Sequence, residues 1–410
     1  MPISLVRADK DGGVIVKVRP LIISFFFTVA FVGYAIIAAL RRKMLEGIAY
    51  AAMPTTPAKA RTVLKITRGH DFPFWFGSGV EAAMLRAVAV PRFAGLAIAS
   101  EGAKSDRASS VTAEQERDDA HAAVKTRTTT TTTTRVAMTT KDLARLVDTV
   151  ELLVAELLEH DLDSERGRIT LGRIARLRAV GGLSNDECLF LLCLFATEPL
   201  AWCASGGFRR VHPYERQAMH TLWSHVGVSI GLERIPPTFE SMQKFAATYQ
   251  AAHSKPSPEG AKLAKAFISL VGGRAKPLLA RVLLRPGLAS NLTEPVRAAL
   301  SISPPSMPAA VVVALTKAIA AFVLQYFVPP RKEPLLRTTA EPNKDGLYDP
   351  AVPGYSSAFN GGYKIEHLGP SSMAADHELG KLHEKTDKSF APEEPQEEPQ
   401  EEPKPAAVKE

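Results

Sequence analysis

Residues 20–40, PLIISFFFTVAFVGYAIIAAL, run for twenty-one positions without a charged side chain. At about 1.5 Å of rise per residue, such a run wound as a helix crosses the roughly 30 Å hydrocarbon core of a bilayer. Lys17 and Arg19 precede it, and Arg41, Arg42 and Lys43 follow at once. A cleaved signal peptide would carry a shorter apolar stretch and a small-residue cleavage site, whereas a basic cluster closing the run acts as a stop-transfer signal. The expectation is a retained, single-pass transmembrane helix at 20–40 behind an N-terminal segment 1–19. The basic cluster after it places the C-terminal body in the cytosol. A second apolar stretch, Ala309 to Phe327, contains Lys317 and Gln325. A lysine at the bilayer centre is costly, so this stretch is expected to be a buried or surface-docked helix.

Composition narrows the rest. With 46% hydrophobic residues over 410 positions, and a mean hydropathy near zero, the chain is neither wholly disordered nor polytopic. Cys188, Cys193 and Cys203 all lie in one apolar stretch, which excludes a disulfide framework and reads as buried thiols. Residues 331–410 carry 10 basic and 16 acidic side chains, leaving 40 and 27 for the body. That basic excess is spread along helices without the aromatic and basic pattern of a nucleic-acid module, so no nucleic-acid partner is expected. A membrane-proximal basic surface accounts for it.

Between about 60 and 335 the periodicity is helical. Leu143, Leu146, Val147, Val150, Leu153, Val154, Leu157 and Leu158 recur at the spacing of an amphipathic stripe. Ser184 to Glu187 has the form of a capping box and stands directly before CLFLLCLFATEPLAW, which reads as a central buried helix. Pro213 opens another helix, with Met219, Leu222, Trp223, Val226 and Ile230 on one face, and Pro236 to Thr238 start the next. The expected fold is all-α. A polar insertion at about 101–140, with seven consecutive threonines from Thr128 to Thr134, is expected to be flexible. The Pro/Glu-rich tail 336–410 is expected to be mostly disordered, with part of 345–370 ordered along the domain.

No Walker loop, dinucleotide fingerprint, zinc helix or nucleophile elbow occurs. His212, His220 and His225 are the one histidine cluster, but the spacing of the last two puts them on different helix faces, which disfavours a metal site. Arg166, Arg168, Arg173, Arg176 and Arg178 crowd one segment. They read as a solvated basic face or as a site for an anion such as a lipid headgroup or a cofactor carboxylate.

Three segments carry a resemblance. HDFPFWFGSGVEAAMLRAVAVPRFAGLAIA (70–99), RIARLRAVGGLSNDECLFLLCLFATEPLAW (173–202) and FRRVHPYERQAMHTLWSHVGVSIGLERIP (208–236) occur in order. They resemble corresponding motifs of the ER-bound oxygenase mpaB and rubber oxygenase catalytic domain family. The likeness continues more loosely through EPVRAALSISPPSMP and YFVPPRKEP, and the N-terminal anchor matches that of the mpaB branch. The resemblance implies a helical domain holding haem b through an axial histidine, and iron that activates oxygen to cleave a carbon–carbon double bond of a prenyl chain. It also implies attachment to the endoplasmic reticulum and an isoprenoid or lipid-like small molecule as ligand.

Carried over residue by residue, the family's axial histidine falls on Arg178. A guanidinium has no lone pair to offer iron. The family's arginine–threonine motif falls near Arg107, with Val111 at the threonine position, and its downstream motif keeps Arg209 and Glu215. The resemblance thus implies Arg107, Arg209 and Glu215 as catalytic candidates and Arg178 and His160 as cofactor-binding ones. Three readings follow. One is an oxygenase whose iron ligand has moved to His160, His212, His220 or His225. The others are a haem-free binding or scaffold protein and a peripheral lipid-handling module. Arg178 is expected in the domain interior, paired with one of Asp186, Glu187, Glu198 or Glu215.

Overall fold

A capping box at Ser184 starts the helix around which the others are arranged. The Ser184 hydroxyl accepts from the Glu187 amide at 3.3 Å, and the Glu187 carboxylate accepts from the Ser184 amide at 2.8 Å. The computed structural model describes residues 6–8, 14–16, 18–99, 138–273 and 283–369. Arg107, the insertion up to residue 137 and the chain from 370 onward lie outside the described residues. In chain order the helices are α1 (Val18–Ala49), α2 (Pro57–Leu64), α3 (Pro73–Ala87), α4 (Pro91–Ala99), α5 (Thr140–Glu159), α6 (Glu165–Val180), α7 (Asn185–Gly206), α8 (Pro213–Ser229), α9 (Phe239–His253), α10 (Pro258–Gly272), α11 (Arg285–Asn291), α12 (Glu294–Ala299) and α13 (Met307–Tyr326). A π-helical segment, Lys65–Asp71, joins α2 to α3. A short antiparallel ribbon, Val6–Ala8 with Val14–Val16, precedes α1. The fold is all-α.

Helix α7 is the centre, as its sequence requires. Leu189, Phe190, Cys193, Leu194 and Cys203 are fully or almost fully buried, packed against α3, α8 and α9. All three thiols are free and buried, and burial pushes Cys193 up to about 12. Gly79 permits the tightest crossing. A Cβ at Gly79 would stand 2.4 Å from the Cα of Pro199, so α3 and α7 touch backbone to backbone. In α8, Met219, Leu222, Trp223 and Val226 face the core as the spacing predicts.

Helix α5 departs from a simple amphipathic stripe. Beside its expected apolar residues it buries Asp148, Thr149 and Glu156. The cause is the segment from Pro334 to Gly369, which lies over the outer side of α5 and α6. Phe359, Tyr363, Ile365 and Leu368 pack on Leu152 and Leu153. The packed chain therefore runs on to Leu368. Two basic residues of α6, Arg166 and Arg173, hold this strap, while Arg168 faces solvent. Arg166 donates to the Thr339 carbonyl at 2.8 Å and stacks 3.8 Å from the Tyr348 ring centre, and Arg173 donates to the Leu368 carbonyl.

Three helices among the described residues are long and apolar enough to cross a membrane: Ile22–Ile48 of α1, α7 and α13. Of these, α7 is the domain core. The other two expose nearly all their apolar surface. Helix α13 docks by one face only, carrying the buried Val313 together with Lys317.

Candidate functional site

Two neighbouring cavities flank α3, sharing Phe74, Ser78 and Glu81 in their walls. The first, about 390 Å³, lies among α3, α7, α10, α11 and α13 and is walled by Trp75, Trp202, Phe267, Val271, Leu288 and Val313. Its main polar group is Lys317, whose Nζ donates to Ser205 Oγ at 2.9 Å and Asn291 Oδ1 at 3.3 Å and stands 5.8 Å from the Trp75 ring centre. The lysine that argues against a membrane span thus has a place on the protein side of its helix. The second cavity, about 510 Å³, lies between α3, α5 and the strap. Val80, Val154 and Leu336 mix there with Arg68, Glu151, Arg331 and Arg337, and the Tyr355 hydroxyl donates to Glu81. Both volumes fall in the range of small-molecule sites. The aromatic and aliphatic walls of the first suit a hydrocarbon chain, with Lys317 available to a polar end.

Of the residues singled out in the sequence, Arg209 and Glu215 come together. Arg209 donates to both Glu215 oxygens at 2.7 and 3.0 Å and to Asp71 at 2.6 and 2.9 Å. Glu215 also accepts from the Thr67 hydroxyl and the His212 amide, each at 2.6 Å. Burial works to raise the Glu215 carboxyl, but these donors outweigh it and hold the carboxyl below its ordinary range. Asp71 goes the other way, because its burial outweighs what Arg209 returns. Neither Arg209 nor Glu215 lines either cavity. Their geometry is that of a latch tying the start of α8 to the π-helical segment before α3.

His160 and Arg178 stand elsewhere. His160 ends α5, its Nε2 at 2.8 Å from Thr338 Oγ1 of the strap. Burial and, after it, the Arg166 charge keep its imidazole below the ordinary histidine range. Arg166 forks onto Glu156 at 2.7 and 2.8 Å, and the Tyr363 hydroxyl donates to the same carboxylate at 2.5 Å. Arg178, expected inside and paired with a carboxylate, sits half-buried in the last turn of α6. There it donates to the Ile230 and Gly231 carbonyls at 2.9 and 3.0 Å. Glu198 pairs with Arg86 and Trp202 instead. The reason is geometric: the end of α6 meets the loop after α8, where backbone carbonyls offer a guanidinium partners without a buried countercharge.

The donor set tests the implied haem. No histidine, cysteine or methionine lines either cavity, and the Tyr355 phenol in the second is engaged by Glu81. One ring nitrogen each of His160, His212 and His220 meets Thr338, the Tyr214 amide and the Pro236 carbonyl, His225 lies 3.7 Å from Asp163, and none of the four lines either cavity. Among the described residues, the cavities do not fit a histidine-ligated haem.

The sequence reading missed the cavity walls. Trp75 and Trp202 lie inside quoted motifs, yet nothing in their spacing shows that they face one space from two helices. Lys317, a lone charge in an apolar helix, is the one signal that pointed there.

Among the described residues the protein is helical, with an apolar cavity walled in part by the exposed apolar helix α13. No family model matches the chain. It is 24% identical over 222 residues to the ER-bound oxygenase mpaB' of Penicillium brevicompactum, covering 50% of this chain and 52% of that protein. It is 22% identical over 216 residues to the ER-bound oxygenase mpaB of Penicillium roqueforti (strain FM164), covering 52% and 61%. The chain thus matches about half to three fifths of the length of these curated relatives, a distant relationship to oxygenases.

Proposed function

We propose that this protein is an oxygenase-like, membrane-attached relative of the mpaB proteins that binds a prenyl or other lipid-like chain in the cavity beside Trp75 and Trp202. The single observation that carries this reading is that apolar cavity, in a chain that also carries the exposed apolar helix α1. In it, α1 anchors the chain in the membrane of the endoplasmic reticulum, the residence named for both relatives, with the domain on the cytosolic side. The aromatic walls exclude water from the bound chain, and Lys317 orients its polar end.

A second reading is haem-dependent oxidative cleavage of an isoprenoid C=C bond, and it rests on the relationship to proteins named oxygenases. The donor set favours the haem-free binding protein. The test is titration of the detergent-purified full chain with a fluorescent polyprenol, alongside its visible absorption spectrum after expression with haem supplied. Saturable binding lost in Val313→Trp, which fills the cavity, supports the proposal, and equal binding by both proteins refutes it. Arg178→His is expected to gain no haem band, because Arg178 lines neither of the two cavities and its end of α6 packs on the Ile230 and Gly231 carbonyls. A stoichiometric haem band in the unmodified chain establishes the second reading.

A further inference from the structure

Helix α13 is amphipathic in reverse. Its one charge, Lys317, is on the protein side with Val313 and Ala320, whereas Leu315, Ile319 and Phe322 are 59%, 55% and 56% exposed. A helix docked on a water-facing surface keeps its apolar face inward and its charges outward. An uncharged outer face suits a neighbour that is itself hydrocarbon.

Its depth is set by α1. The Phe327 ring lies 5.3 Å from that of Phe31, and the Tyr34 hydroxyl donates to the Phe327 carbonyl at 3.4 Å. Both partners belong to the charge-free run 20–40. Tyr34 is six residues inside Leu40, about 9 Å at 1.5 Å per residue. The C-terminal end of α13 is therefore level with hydrocarbon-spanning turns of the anchor.

The polar ends agree. The last carbonyls of a helix lack partners within it, and in hydrocarbon they must find others. The Arg42 guanidinium, just beyond the apolar run, reaches back to donate to the carbonyls of Leu324 and Val328, the latter at 2.5 Å. Exposed Arg331 and Lys332 then follow α13 as Arg41 to Lys43 follow the apolar run of α1. Two basic clusters of this kind mark one membrane surface, where anionic headgroups attract them.

We propose that α13 is a second membrane-embedded helix, with its inner face on the domain and its outer face, Leu315, Ile319 and Phe322, in contact with lipid acyl chains. Val313 and Ala320 wall the first cavity from the opposite side of the same helix, so α13 separates that cavity from the bilayer. The proposal rests on α1 being the anchor.

The test uses the full chain in phosphatidylcholine vesicles with an environment-sensitive fluorophore on a single introduced thiol. The native cysteines are buried and stay unlabelled under folding conditions. Ile319→Cys and Phe322→Cys are compared with Phe27→Cys on α1 and Glu240→Cys on the exposed side of α9. These side chains lie on the exposed surface, so the changes leave the core intact. Vesicles whose acyl chains carry bromine should quench positions 319, 322 and 27 alike and leave 240 unchanged. Positions 319 and 322 behaving like 240 while 27 is quenched overturns the inference. If 27 also escapes quenching, α1 is not the anchor, and the attachment reading falls with the inference, whereas polyprenol binding is measured independently.

Discussion

Replacing Glu215 by glutamine tests whether the Arg209 cluster is a structural latch. The carboxylate is fully buried and accepts four hydrogen bonds, two from Arg209, one from Thr67 and one from the His212 amide. Glutamine keeps one acceptor oxygen and places an NH2 group against donors whichever way it flips. Removing one partner of a buried ion pair costs about 3–5 kcal/mol. Asp71 still holds Arg209 at 2.6 Å, which puts the expected loss at the low end, about 3 kcal/mol. Asp71→Asn should cost less, about 1 kcal/mol, because burial already favours the neutral form of that side chain. The pH dependence follows. The Glu215 carboxyl is held low in the fold, so its stabilisation is full above the unfolded value of about 4.3 and is lost as pH falls through the folded value. The raised Asp71 carboxyl works oppositely, gaining stability as pH falls through its folded value toward about 3.9. Urea unfolding of the full chain in mild detergent, followed by tryptophan fluorescence, measures both substitutions. A Glu215→Gln loss below about 1 kcal/mol, or a larger loss for Asp71→Asn, refutes the latch.

Gly79→Ala should destabilise by about 2 kcal/mol despite alanine's better helix propensity, since its Cβ meets the Pro199 backbone and α3 must move off α7; no change in the urea midpoint contradicts that crossing. His160 is half-buried near Arg166, Arg61, Glu156 and Glu159, and its imidazole titrates below the unfolded value of about 6.5. The stability it supplies is therefore present above that pH and lost as pH falls through the folded value, so His160→Gln should flatten the decline in unfolding free energy between about pH 7 and 5. An unchanged slope rejects the assignment.

The helices legible in the sequence are those whose instructions are local. Ser184 and Glu187 cap α7, Pro213 opens α8, and the apolar spacing of Met219, Leu222 and Val226 sets the buried face. Part of 345–370 was expected to lie along the domain, but where it packs was not legible, because Phe359, Tyr363, Ile365 and Leu368 are sparse, follow no period and lie among glycines and turns. Asp148 and Glu156 within the α5 stripe were its trace, as buried carboxylates require partners. Arg178 was placed wrongly for a related reason: sequence shows a charge near a core helix but not the two carbonyls that receive it. The Arg209 and Glu215 pair was found through a motif, while the distance of both from the cavities became visible only in three dimensions.

The strap also orders events during synthesis. The Asp148 carboxylate receives the Ser356 amide, 208 residues downstream, and Glu156 receives the Tyr363 hydroxyl, 207 residues downstream. At about 5–20 residues per second, α5 leaves the ribosome some 10–40 s before its outer face can be covered. Throughout that interval the side of Leu152 and Leu153 that the strap covers is open to water and to other nascent chains. The last part of the described domain to be made is thus the part that closes it, and a ribosome stalled before Leu368 would leave an incomplete domain suited to a chaperone rather than a finished one.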